Sequence, residues 1–173
     1  MSQAANRYAK ALFDLAQEQQ ILEPVQGSVA GIRKLIIDLG DFRNFLGNPL
    51  LSYEERRSVL KSLFEGKVPG LTLDFLLFIT FKNRLNLLKE ISESFDNLCL
   101  ASTGQVRAYI KTALPITDQD KASIGQRLHD KLHQQVIPQW TVDSSLIGGF
   151  RIFIQGRIYD YSFKNQLNHF AQT

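Results

Sequence analysis

The stretch Asp143-Ser144-Ser145-Leu146-Ile147-Gly148-Gly149-Phe150-Arg151-Ile152-Phe153-Ile154-Gln155-Gly156-Arg157-Ile158-Tyr159-Asp160 reads as a tight β-hairpin. Phe150, Ile152 and Ile154 alternate with Arg151, Phe153 and Gln155, the period of a strand with one buried face. Gln155-Gly156 marks the turn, and Arg157 to Tyr159 form the returning strand. Gly148-Gly149 lets backbone or a partner approach closely.

Outward from the hairpin, the same period appears upstream. Val106, Ala108 and Ile110 alternate with Arg107, Tyr109 and Lys111, which predicts a strand from Gln105 to Thr112. Pro115 stops it. Thr117-Asp118-Gln119-Asp120 is a capping-box pattern opening a helix to about Gln134, with Ile124, Leu128 and Leu132 inward. A strand over Gln139 to Val142 and a closing helix over Ser162 to Phe170 complete the order βαβββα, with the helices against one antiparallel-rich sheet.

Before Gly104 the period is helical throughout. Ala5 to Gln19 contains no Gly or Pro. At 100° steps Ala4, Tyr8, Ala11 and Leu15 form one side, and Ala5, Ala9, Leu12, Phe13 and Ala16 the adjoining one. Together they span roughly 200°, against the ~100° stripe of an ordinary surface helix. Either this helix is wedged within its own bundle, or its Ala4–Tyr8–Ala11–Leu15 edge receives a partner helix. Small alanines permit close approach, and Tyr8 offers the amphipathic surface that interfaces favour.

A second helix runs from Pro24 to Gly40 on Val25, Val29, Ile32, Leu35, Ile36 and Leu39, and a short one over Asp41 to Leu46 ends at Gly47-Asn48-Pro49. Ser52-Tyr53-Glu54-Glu55 is a capping box for a fourth helix with Val59, Leu60, Leu63 and Phe64 inward. Leu71 to Lys82 is apolar on nearly every side. It is either the central helix or has an edge covered by another chain. Asn83-Arg84 leads into a sixth helix carrying Leu85, Leu88, Ile91, Phe95, Leu98 and Cys99, closed at Thr103-Gly104. The expected fold class is α+β in two parts: a six-helix bundle over residues 1–104, then a small α/β domain with a β-hairpin over residues 105–173.

Composition narrows the function. The 173 residues are 44% hydrophobic and 21% charged, the signature of a globular chain. Twenty basic and 17 acidic residues leave a net charge of +3, with no Lys/Arg run to track phosphates. The single cysteine, Cys99, excludes an internal disulfide and reads as a core residue. The N-terminus lacks a signal-peptide core or arginine-rich transit extension, and the apolar run Phe75 to Phe81 is far below the roughly 20 residues of a membrane span. There is no phosphate loop and no dinucleotide fingerprint. His129 and His133 share a helix face, but no third ligand completes a metal set. Asp118, Asp120, Asp143 and Asp160 read as capping and turn residues, so no enzyme, cofactor or metal is expected. A chain with over-apolar helices and no chemistry points to an adaptor in a larger assembly. A nucleic-acid-binding adaptor is the alternative, on the pI near 9.0 and on Arg107, Tyr109, Lys111 and Arg151.

Four phrases, in order along the chain, carry a resemblance. Asn6-Arg7-Tyr8-Ala9-Lys10-Ala11-Leu12-Phe13-Asp14-Leu15-Ala16 resembles the opening helix of the δ subunit of F-type ATP synthases, whose mitochondrial equivalent is the oligomycin sensitivity-conferring protein. Lys82-Asn83-Arg84-Leu85 is similar to that family's bend between its fifth and sixth helices, and Thr112-Ala113-Leu114-Pro115-Ile116-Thr117 also fits. Leu146, Ile147, Gly148, Gly149, Phe150 and Arg151, followed by Asp160 and Ser162, resemble its C-terminal signature. Tyr161 stands where the family frequently has glycine, a residue that takes positive φ at no cost.

The resemblance implies a non-catalytic stator subunit of a large hetero-oligomeric membrane complex. It would hold the catalytic head to the peripheral stalk against rotor torque during proton-driven ATP synthesis. In relatives the first and fifth helices form a groove for the N-terminal helix of an α subunit. Carried over, that groove is Tyr8, Ala11, Leu12 and Leu15 opposite Phe75, Phe78, Ile79 and Lys82. The C-terminal domain would engage a b-type stalk subunit. No nucleic acid and no small-molecule substrate is implied. The implied location is peripheral, on the cytoplasmic side of a bacterial inner membrane, with thylakoid and mitochondrial inner membranes as alternatives.

Overall fold

The computed structural model describes residues 2–154 and 156–163. Among these, seven α-helices and one four-stranded sheet form two compact units, Met1–Cys99 and Leu100–Thr173.

In the first unit, α1 (Gln3–Glu18) begins at Ser2, whose hydroxyl accepts from the Ala5 amide at 3.2 Å. It buries Ala5, Ala9, Leu12, Phe13 and Ala16, one of the two sides that its sequence predicts as apolar. Next come α2 (Leu22–Asp38), α3 (Gly40–Gly47), α4 (Tyr53–Phe64) and α5 (Gly70–Phe81). A 3₁₀ turn (Leu85–Leu87) leads into α6 (Leu88–Ser102), which runs past Cys99. The Ser52/Glu55 capping box opens α4 with both reciprocal bonds, 3.3 Å from the Glu55 amide to the Ser52 hydroxyl and 2.7 Å from the Ser52 amide to the Glu55 carboxylate. Of the four residues expected inward on α4, Leu60 and Phe64 are buried while Val59 and Leu63 are exposed; one stripe suffices where a helix covers the core from outside.

The core is a continuous cluster including Leu12, Val25, Ile32, Leu60, Leu76, Ile79, Leu85, Ile91 and Phe95. Each such side chain contributes on the order of 1.5–3 kcal/mol of burial. Several polar groups beside it are matched. Ser28 and Thr72 hydroxyls meet at 2.8 Å, Ser94 donates to Asn6 at 2.7 Å, and Arg33 forms an ion pair with Asp96.

In the second unit β1 (Gln105–Thr112), α7 (Asp118–Leu132), β2 (Gln135–Val142), β3 (Phe150–Ile154) and β4 (Arg157–Asp160) form a sheet ordered β2-β1-β3-β4. The pairings β1–β3 and β3–β4 are antiparallel, whereas β1–β2 is parallel through the α7 crossover. Val106, Ala108, Ile110, Ile152 and Ile154 pack with Leu128 into the second core, flanked by Ile124, Leu132 and Trp140.

Two boundaries differ from expectation. α7 stops at Leu132, because His133 turns left-handed at φ 52°, and β2 begins at Gln135, four residues before the expected Gln139. Pro138 lies inside β2, which is tolerated because β2 is an edge strand. The hairpin begins at Phe150; Asp143 to Gly149 is a loop, in which Asp143 accepts from the Ser145 amide and hydroxyl at 3.1 and 2.6 Å. From residue 164 onward, the expected closing helix lies outside the described residues. No helix among the described residues is long and apolar enough to cross a membrane.

Candidate functional site

α1 presents two kinds of apolar surface. Its buried side belongs to the core, while the Ala4–Tyr8–Ala11–Leu15 edge is left open: Ala11 is exposed and Leu15 is 43% exposed. α5 is likewise uncovered on one edge. It buries Thr72, Leu76, Ile79 and Thr80, yet Phe78 and Phe81 remain 48% and 66% exposed. α5 is therefore not a central helix wrapped on all sides.

The two open edges meet. Tyr8 packs edge-to-face on Phe78 with ring centroids 6.2 Å apart. Ala4, Arg7, Tyr8, Ala11, Phe78 and Arg84 line an open depression of about 370 Å³. Lys82 Nζ stands 5.6 Å from the Phe78 ring centre and 5.4 Å from that of Phe81. Tyr53 of α4 extends the aromatic surface, edge-to-face with Phe81 at 5.9 Å. The result is an apolar floor with a rim of three cations, Arg7, Lys82 and Arg84. Its chemistry suits an amphipathic helix with acidic flanks.

Of the eight residues expected for this groove, Tyr8, Ala11 and Phe78 line the depression and Lys82 stands over the Phe78 ring, while Leu15 is exposed outside its lining and Phe75 is half-buried against the interior beside Leu12 and Leu76. Leu12 and Ile79, 1% and 0% exposed, are core residues and not part of the open surface. They sit on the inner arcs of their helices, one step round from Ala11 and Phe78. Sequence reasoning passed over Arg7, Arg84, Tyr53 and Phe81 as groove residues. The position of Phe81, three after Phe78, was an available signal.

The signature residues of the second unit build structure. Leu146 is buried and Ile147 exposed. Arg151 and Asp160 face each other across β3–β4 and form an ion pair at 2.6 Å. Gly149 has φ +80°, and a Cβ there would lie 2.3 Å from the Tyr161 carbonyl oxygen. A Cβ on Gly148 would lie 2.3 Å from the Phe163 ring. The close approach that the glycine pair permits is thus made by the chain's own 161–163 segment. It is fixed by Tyr161 N–H to Phe150 O at 2.9 Å and Phe163 N–H to Gly148 O at 3.1 Å. Tyr161 keeps a negative φ and packs on Phe150 at 5.2 Å, so the turn needs no glycine at 161.

The remaining candidates fall into structural roles. His129 Nδ1 is 2.8 Å from the Gln134 carbonyl, and His133 ends α7. Thr117 caps α7 from the Asp120 amide at 3.2 Å. Of the strand cations, Lys111 pairs with Asp143 at 3.2 Å and Arg151 with Asp160 at 2.6 Å. Burial pushes the Cys99 thiol up to about 11.

Comparison with known proteins identifies the family and the fold. The family model of the ATP synthase delta (OSCP) subunit matches residues 4–173. ATP synthase subunit delta of Desulforamulus reducens is 32% identical over 94% of this chain and 90% of its own length. The chloroplastic ATP synthase subunit delta of Trieres chinensis is 30% identical over 99% of this chain and 92% of its own. A chain in the cryo-EM structure of the Toxoplasma gondii mitochondrial ATP synthase hexamer shares the fold, with a TM-score of 0.80 at 23% identity, covering 99% of this chain and 97% of that one. With a matched model across nearly its whole length, the chain belongs to the ATP synthase delta (OSCP) subunit family, a structural, non-catalytic stator subunit, itself peripheral to the membrane, of a large hetero-oligomeric ATP synthase.

Proposed function

We propose that residues 1–104 act as a six-helix bundle gripping the catalytic head, and that residues 105–173 face the peripheral stalk through its b-type subunit. The head contact is the α1–α5 groove, and its occupant is the N-terminal helix of an α subunit. One observation carries this reading: two helices leave their apolar edges open side by side, with Tyr8 on Phe78 as the floor. A joint that resists torque needs such an interface, because apolar burial does not weaken with salt. The cationic rim of Arg7, Lys82 and Arg84 adds orientation by meeting acids on the incoming helix.

The membrane is a bacterial inner membrane, with this subunit on its cytoplasmic side; thylakoid and mitochondrial inner membranes are the alternatives. Co-sedimentation of the chain with the membranes of its host, and identification of the chains that purify with it, tests both location and partners.

The groove is tested by Ala11→Asp. Ala11 is exposed, so the variant folds. Covering its carboxylate with an apolar helix costs several kcal/mol, so affinity falls at least about a hundredfold. The assay is calorimetry with a synthetic α-subunit N-terminal peptide from the same organism. Equal binding by variant and parent excludes the groove.

A further inference from the structure

Arg56 on α4 is a buried cation without a counter-charge. It is 7% exposed, and no carboxylate among the described residues pairs with it. A guanidinium offers five N–H donors. Arg56 gives one to the Asn48 carbonyl at 2.6 Å and one to the Asn83 side-chain oxygen at 3.2 Å, both neutral acceptors. Its Nε–H is buried with no acceptor at all. Buried charges are ordinarily paired, and an orphaned donor at such a place calls for a missing partner.

Space for a counter-charge adjoins the residue. Arg56 lines a recess of about 220 Å³ between the end of α3, the turn after α5 and the 3₁₀ turn. Gly47, Pro49, Asn83 and Asn86 form its other walls. Asn83 is left-handed at φ 53°, where it closes α5 through Asn83 N–H to Thr80 O at 2.9 Å and Arg84 N–H to Ile79 O at 2.8 Å, and its side chain meets Arg56. The walls combine one cation with two carboxamides and carry no acid.

We propose that this recess is an oxyanion-binding site, in which Arg56 and the Asn83 and Asn86 amides take a compact carboxylate or phosphate group. Such an anion supplies the counter-charge that Arg56 lacks and acceptors for its remaining terminal N–H groups, and guanidinium is the side chain best shaped for either group. The recess shares no residue with the α1–α5 groove, so the proposal does not depend on the groove reading.

The Nε–Hε proton of a buried arginine can be followed by nuclear magnetic resonance on the ¹⁵N-labelled full chain. Titration with sodium acetate and, separately, sodium phosphate should shift the Arg56 Nε–Hε signal saturably, and sodium chloride at matched ionic strength should not. Phosphate saturating at a concentration tenfold or more below acetate identifies free phosphate as the ligand. Saturation at similar concentrations identifies a carboxylate, such as an acidic side chain of a partner. Arg56→Gln tests the cation but disturbs two loops that Arg56 holds. Asn86→Leu leaves Arg56 and its two bonds in place and should weaken saturation at least about tenfold. An Nε–Hε signal that responds to acetate and phosphate no differently from chloride, or an Asn86→Leu variant that binds as tightly as the parent, overturns the assignment.

Discussion

Replacing Gly149 by alanine should unfold the second unit well before the first is affected, and the cost can be worked from the structure. Gly149 sits at φ +80°, a conformation that costs a non-glycine residue about 1 kcal/mol. The added Cβ would lie 2.3 Å from the Tyr161 carbonyl oxygen and 3.1 Å from the Ser162 Cα. Non-bonded heavy atoms prefer about 3.5 Å, so the 161–163 segment must retreat by roughly 1 Å. Three backbone bonds resist that retreat: Ala113 N–H to Gly149 O at 3.2 Å, Phe163 N–H to Gly148 O at 3.1 Å and Tyr161 N–H to Phe150 O at 2.9 Å. Losing two of them costs about 2 kcal/mol, and the total is about 3 kcal/mol. For a unit of this size that lowers the melting temperature by more than about 10 °C.

Trp140, the single tryptophan, packs against the second core and reports its unfolding by fluorescence. Gly156→Ala is the control, since Gly156 has φ +77° but nothing within 4 Å of an added Cβ. It should cost about 1 kcal/mol, the conformational part alone. If urea titrations of the two variants gave the same midpoint, the close approach at Gly149 would contribute nothing and the reasoning would fail.

The other predictions rest on single contacts. The Ala11→Asp loss of peptide binding described above is one of them. Ser52→Ala removes the capping box of α4 and should lower stability by about 1 kcal/mol in urea unfolding followed by circular dichroism; an unchanged midpoint counts against the cap. The Asp143 carboxyl is held below its ordinary 3.8 by the Ser145 hydroxyl first and by Lys111 next. Its folded value lies below its unfolded one, so its stabilisation is full above 3.8 and is lost as pH falls through the folded value. The stability gap between parent and Asp143→Asn should therefore close on acidification below 3.8, and a gap independent of pH would contradict this. Cys99, with its thiol pushed up to about 11, should resist alkylation at pH 8 in the native chain and react on addition of urea; native labelling at the rate of a free thiol would refute its burial.

Much of this fold was legible because its signals are local. The period change at Gly104, the Ser52/Glu55 box and the alternation over Gln105 to Thr112 all act within a few residues. The boundary between α7 and β2 was not legible, because a left-handed histidine did the work usually given to glycine and a proline was admitted by an edge position known only from the sheet order. The groove was half legible. Angular position on α1 separated the inner arc from the outer one, and the structure follows that division. What the sequence could not show was that Leu12 and Ile79 fall just inside the core, or that Arg7 and Arg84 arrive at one rim from two distant elements. The Arg56 recess was invisible for a similar reason, since its walls come from three separated segments.

One helix, α1, serves as both inner pillar and outer wall. Ala5, Ala9, Leu12 and Ala16 are core, and Tyr8 and Ala11, on the next arc of the same cylinder, line the depression. Anything that melts α1 therefore abolishes the open edge, and an occupant of that edge would bind only the folded form. Mass action then couples assembly to stability: an occupant present at 1,000 times its dissociation constant would raise unfolding free energy by about 4 kcal/mol. With the edge occupied as proposed, a free subunit would be an unfinished one, more open to proteolysis than the assembled chain.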